Sequence, residues 1–154
     1  MNSNPMNGNS CIAMDLSADQ STKVDLSLPS DSTSAIMATL QLAKEIGFSN
    51  QDQTLLAIVA SELATNIIRY AKTGSVTIQA IRNNSLQGIE IIAEDNGPGI
   101  ENVELALSEH YSSGDGLGLG LPSVKRIMDE FSIDSGKNIG TLITTRKWKH
   151  KKEI

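Results

Sequence analysis

The first group in this sequence placed to do chemistry is a carboxylate at the end of a strand-like run. Gly88-Ile89-Glu90-Ile91-Ile92-Ala93-Glu94 alternates as a strand does, and Asp95-Asn96-Gly97-Pro98-Gly99-Ile100 follows it. Ionised Asp95 only accepts hydrogen bonds. Gly97 and Gly99 carry no Cβ, so a flat, donor-bearing ring could dock close to the backbone there. The same residues also spell an ordinary Asx turn, because Asp-x-Gly and Pro-Gly are common turn chemistry.

Two other stretches bear on the same ligand. Glu62 and Asn66 stand four apart in a helical pattern and project from one face, about one turn from each other. The carboxylate can take a proton. The Asn66 side-chain oxygen can bind Mg²⁺, which keeps several waters and grips substrate phosphates, so a single protein oxygen suffices. A solvated helix face explains the pair equally simply, although Leu63, Ala64 and Ile67 give it an inward-leaning setting. Farther on, glycine fills every second position at Gly114, Gly116, Gly118 and Gly120, with Leu117 and Leu119 between the last three. This spacing is neither the P-loop nor the dinucleotide pattern. It still suits an anion, since bare backbone N–H groups and the start of a helix at Pro122 would face it. A loop tip is the alternative. Lys125 and Arg126 are expected in the first turns of that helix, where a cation opposes the dipole and makes sense beside phosphates, or is simply solvated.

The elements that position these groups follow from periodicity. Val24, Leu26 and Leu28 predict a first strand ended by Pro29. Ser30 or Asp31 caps a helix with the stripe Ile36, Leu40, Ala43 and Ile46, stopped by Gly47. A second helix is expected from Ser49-Asn50 to about Ala71, with Leu55, Ile58, Val59, Leu63, Ile67 and Tyr70 on its apolar side and Gly74 as its breaker. A hairpin over about 75–81 and 88–94 turns at Asn83-Asn84-Ser85. Its alternation puts Ile89, Ile91, Ala93 and Asp95 on one face and Glu90 and Glu94 on the other. A short helix at 103–107, a helix over about 122–130 and strands at 131–135 and 141–148 complete the chain. The fold class is a two-layer α/β (α+β) sandwich, with helices on one face of a mixed, mostly antiparallel sheet. Residues 1–21 read as a flexible arm, 22–148 as the domain and 149–154 as a basic tail.

Composition narrows the function. A chain of 154 residues suits one domain, and 3% aromatics means an aliphatic core. A net charge of -5 argues against nucleic acid as a partner. The basic run Arg146, Lys147, Lys149, Lys151 and Lys152 reads as a solvated terminus. Cys11 is the only cysteine, so an intrachain disulfide, a zinc cluster and a C-x-x-C motif are ruled out. Neither a signal peptide nor a membrane-length apolar run is present, and a cytoplasmic location is expected.

Taken together, Asp95 would read a base, the glycine loop would wrap phosphates, Asn66 would hold Mg²⁺ and Glu62 would act at the γ-phosphate. At this point the sequence resembles a known family. Ser61-Glu62-Leu63-Ala64-Thr65-Asn66 looks like the N box of the GHKL ATPases. Asp95-x-Gly97-x-Gly99 looks like the G1 box, Gly116–Gly120 the G2 box, and Gly140-Thr141 the later position where Thr helps hold adenine and Asp95. The resemblance covers about residues 22–148 and implies the Bergerat fold. It also implies an ATP site made of Asn66, Asp95, Gly97, Gly99, Ile100, Gly116, Leu117, Gly118, Leu119, Gly120 and Thr141, with Glu62 catalytic. Ala93–Ile100 and Gly116–Phe131 most resemble the stressosome switch kinases, small bacterial serine/threonine kinases of the anti-sigma-factor kinase group. Leu119 departs from the Ala expected there. The resemblance implies ATP and Mg²⁺, a STAS-domain protein substrate and, after release, a PP2C-type phosphatase as a further partner. An anti-sigma factor that holds a sigma factor is the alternative. A module of a larger ATPase machine would need a transducer domain, and a histidine kinase an upstream phosphoacceptor that neither His110 nor His150 supplies.

Overall fold

Apolar alternation in five short runs builds one sheet, and helical stripes between them cover a single face of it. The computed structural model describes residues 20–108 and 120–150. In chain order the elements are β1 (Ser21–Leu26), α1 (Asp31–Ile46), α2 (Asn50–Asn66), a π-helical turn (Ile67–Ala71), β2 (Gly74–Asn83) and β3 (Leu86–Asp95). There follow α3 (Val103–Ala106), α4 (Gly120–Ile127), β4 (Glu130–Gly136) and β5 (Ile139–Trp148). The sheet order is β1-β2-β3-β5-β4, so β5 inserts between β3 and β4. All the pairings are antiparallel, which fits the mostly antiparallel sheet expected from the sequence and removes its mixed part. No helix among the described residues is long and apolar enough to cross a membrane.

Register explains the layers. Val76, Ala93 and Ile143 face one another across β2, β3 and β5, as do Ile78, Ile91 and Thr145 one step along. These side chains are buried, together with Leu56, Val59, Leu63 and Ala64 of α2 and Ala35, Leu42 and Ala43 of α1. The last row on this face is Leu26, Gly74, Asp95, Thr141 and Ser135. Asp95 therefore closes the core row at the sheet's edge, on the helix side, as alternation predicts.

Several local expectations are corrected. Leu28 lies beyond β1 and is 61% exposed, because the chain turns at Ser27 and Leu28 onto Asp31. Ser30 makes no side-chain cap; Asp31 Oδ2 instead accepts from the backbone N–H of Ser27 and Leu28, at 2.9 and 2.8 Å. On α1 the buried stripe is Ala35, Thr39, Leu42, Ala43 and Ile46, leaving Ile36 and Leu40 half-buried. Small residues lie innermost there because α1 packs closely against α2. Tyr70 is 48% exposed, since the wider π turn shifts the helical phase after Asn66, and Arg69 stacks over its ring. Lys72, at φ 72°, rather than Gly74, breaks the helix.

The polar face of the sheet is less wet than its sequence implies. Glu90 is only 5% exposed. It accepts from Arg146 Nε at 2.6 Å and from Gln79 Nε2. Burial disfavours the Arg146 charge, but the Glu90 and Glu130 carboxylates together outweigh that and raise the guanidinium pKa. Nor are the lysines of the basic run a solvated terminus. Lys147 is 8% exposed and caps α4 through the Ile127 carbonyl at 3.0 Å. Lys149 donates to the Ile46 carbonyl at the end of α1, at 3.3 Å. Cations belong at helix C-termini, where carbonyls lack partners. Lys151 and Lys152 lie outside the described residues.

Candidate functional site

The turn after β3 is pinned to the protein at three backbone groups, the Gly97 N–H, the Pro98 carbonyl and the Ile100 N–H. Asp95 Oδ1 accepts from the Gly97 N–H at 2.9 Å, so the Asx turn is real. Oδ2 makes no hydrogen bond among the described residues. The Pro98 carbonyl accepts from Asn138 N–H at 2.7 Å, and the Ile100 N–H donates to Ser135 Oγ at 2.8 Å. The β4–β5 turn thus clamps the 95–100 segment from outside.

Both glycines of the turn are required by protein packing. A Cβ at Gly97 would come within 2.5 Å of Ala71 Cβ in the π turn. Gly99 has φ +77°, and a Cβ there would fall on the Gly136 carbonyl. The room that the sequence leaves at these positions is filled by Ala71 and Gly136, so a ring would meet Asp95 and its neighbours on β5. Thr141 is that neighbour, directly opposite Asp95 in the β3–β5 register. Its hydroxyl lies 2.8 Å from Ser135 Oγ. Glu94, Asp95, Asp134, Ile139, Gly140, Thr141 and Leu142 line a shallow depression at this end of the sheet.

Glu62 and Asn66 lie in the last turns of α2, half-buried beside the buried Leu63, Ala64 and Ile67. Neither side chain makes a hydrogen bond or ion pair among the described residues. The chain then passes through the π turn, whose Ala71 touches the Gly97 position. One continuous segment therefore runs from the Glu62–Asn66 face to the Asp95 turn. The donor set is oxygen throughout, which fits a hard cation shared with phosphates and water. Among the described residues no group of three or more His, Cys, Asp or Glu could hold a metal by itself.

Gly116, Leu117, Gly118, Leu119 and His110 lie outside the described residues. Gly120 opens α4 at φ +35°, two residues before the expected helix start at Pro122. Lys125 and Arg126 consequently fall in the last turn of α4, where they favour the helix dipole, rather than in the first turns beside an anion. His150 is exposed. Sequence reasoning missed Ser135, which touches both the 95–100 turn and Thr141. Its only sequence signal is its place before Gly136-Lys137-Asn138, a turn-forming run.

The sandwich, the acidic turn at its edge and the half-buried Glu-Asn face of α2 are features of a nucleotide-hydrolysing fold. The chain belongs to the histidine kinase-, DNA gyrase B- and HSP90-like ATPase family, whose model matches residues 51–151. Every site residue considered above falls inside that span. Within the family it is similar to the serine/threonine-protein kinase RsbT of Bacillus subtilis, at 44% identity over 117 residues, covering 73% of this chain and 88% of the relative. It is also similar to the anti-sigma F factor of Clostridium kluyveri, at 31% over 138 residues, covering 84% of this chain and 94% of that one. The anti-sigma F factor of Clostridium acetobutylicum is 31% identical over 119 residues.

Proposed function

We propose that this chain is an ATP-dependent serine/threonine protein kinase of a partner-switching pathway, acting on a STAS-domain protein in the cytoplasm. The observation that carries the site is the pairing of Asp95 with Thr141 across β3 and β5. It holds a carboxylate oxygen without a partner among the described residues, at a turn fixed through the Gly97 N–H, the Pro98 carbonyl and the Ile100 N–H. Asp95, with Thr141, takes the adenine, while Gly97, Gly99 and Ile100 hold the turn that presents it. The 116–120 loop covers the phosphates. Asn66 supplies the protein oxygen for Mg²⁺, which neutralises phosphate charge when bound. Glu62 accepts the proton of the attacking Ser or Thr hydroxyl as its oxygen bonds to the γ-phosphorus and ADP departs. Such a base is worth about 10²–10⁴-fold in rate, and positioning with charge neutralisation does most of the remainder.

Phosphorylation adds roughly -1.5 to -2 charges to the partner's surface, enough to break an interface. On this reading the released kinase then engages a PP2C-type phosphatase. A second reading, sequestration of a sigma factor, is favoured by the longer span shared with the anti-sigma F factor of Clostridium kluyveri, 138 residues against 117 for RsbT.

Calorimetric titration with Mg-ATP tests the site. Asp95→Asn should weaken binding by about tenfold to a hundredfold, because the amide can present a donor where an acceptor is needed. Unchanged affinity would remove Asp95 from base recognition.

A further inference from the structure

We propose that Ser135 fixes the direction of the Thr141 hydroxyl and thereby makes the Asp95–Thr141 pair select a 6-aminopurine over a 6-oxopurine. The proposal rests on the reading of that pair as the base-contacting end of the site.

Ser135 Oγ has three partners: the Ile100 N–H at 2.8 Å, the Gly140 carbonyl at 2.9 Å and Thr141 Oγ1 at 2.8 Å. A serine hydroxyl offers one proton and two acceptor positions. The Ile100 N–H can only donate, so it takes one acceptor position. The Gly140 carbonyl can only accept, so it requires the single proton. What remains is the second acceptor position, and Thr141 must therefore donate to it. The opposite arrangement, with the Ser135 proton on Thr141, would leave Ser135 Oγ and the Gly140 oxygen 2.9 Å apart with no proton between them.

A sheet irregularity creates this geometry. Ser135 pairs with Thr141 and Gly136 pairs with Ile139, so Gly140 is an extra residue on β5. An extra residue of this kind re-aims its own backbone groups, here bringing the Gly140 carbonyl to Ser135.

The consequence is chemical. With its proton committed to Ser135, Thr141 Oγ1 offers only lone pairs to a ligand. Asp95 Oδ2, on the neighbouring strand, also offers only lone pairs. Two adjacent acceptors match an exocyclic amino group with its two N–H bonds. A carbonyl at the same ring position would face acceptors with no proton between. A threonine without Ser135 could rotate its hydroxyl and donate to that carbonyl, and selectivity would fall.

The test compares calorimetric affinities for ATP and for inosine triphosphate, which carries a 6-oxo group. Wild-type protein should prefer ATP. Ser135→Ala should narrow that preference by about tenfold, the worth of one reoriented hydrogen bond. Ser135→Thr, which keeps the hydroxyl, should restore it. Thr141→Val, with Ser135 intact, should narrow it as well, and supplies the answer if Ser135→Ala does not fold. A purely structural role would weaken both nucleotides alike; an unchanged ratio in Ser135→Ala or in Thr141→Val, with a selective wild type, overturns the proposal alone. Wild-type protein that binds the two nucleotides equally overturns the base-contacting reading, and the proposal with it.

Discussion

Asp95 commits one oxygen to the fold and leaves the other for the proposed ligand. Oδ1 holds the Gly97 N–H and shapes the turn, while Oδ2 has no partner among the described residues. The turn role of Asp95 and its proposed base-reading role therefore use different oxygens of one side chain. Glu62 is the other residue with a separable role. Glu62→Ala should bind Mg-ATP with near wild-type affinity and lose about 10²–10⁴-fold in transfer to a STAS protein. Full transfer by that variant, followed by autoradiography, would take Glu62 out of catalysis. Asp95, Glu62 and Asn66 were legible in the sequence because each sits on a regular element with a countable period. Ser135 was not, because its contacts arise from an irregular residue in β5 and from a turn about 35 positions away.

At the scale of elements, the 95–100 turn is held by packing that only glycine permits. Gly99→Ala combines a left-handed backbone with an overlap on the Gly136 carbonyl. It should cost about 1–3 kcal/mol or more and lower the melting temperature. A thermal melt indistinguishable from wild type would contradict this packing account. The start of α1 makes a pH-dependent contribution. Backbone N–H groups of Leu28 and Ser27 hold the Asp31 carboxyl below its ordinary value of 3.8. A carboxylate lowered in the folded state stabilises fully above the unfolded value and loses that contribution as pH falls through the lower folded value. Asp31→Asn should therefore flatten the acid side of a melting-temperature profile below about pH 4, while an equally steep profile would dismiss the contact. Sheet alternation and the Gly47 stop of α1 were readable as elements. The phase of α1, the π turn and the burial of Lys147 were not, since neighbours packed from distant sequence decide them.

At the scale of the molecule, helices cover one sheet face, and the candidate site lies at the edge where β3, β5, α2 and the π turn converge. The negative charge that argues against nucleic acid leaves protein partners as the natural reading. Sequence resemblance supplied the fold family correctly because its motifs lie on α2, β3 and β5, which the sandwich brings to one edge. It implies a class of partner but not which protein, because partner surfaces are assembled from side chains of several elements and carry no fixed spacing. Pull-down in the presence of Mg-ADP separates the two readings: a kinase of this kind should retain a STAS-domain protein, and retention of a sigma factor alone would favour sequestration.

The kinase reading is tested most directly by intact mass spectrometry of a STAS-domain partner after incubation with this protein and Mg-ATP. The account predicts the mass of one added phosphate, located on a Ser or Thr and absent when Asp95→Asn replaces the wild type at low ATP. A partner that binds the protein but gains no mass, while ATP stays bound and intact, would contradict it.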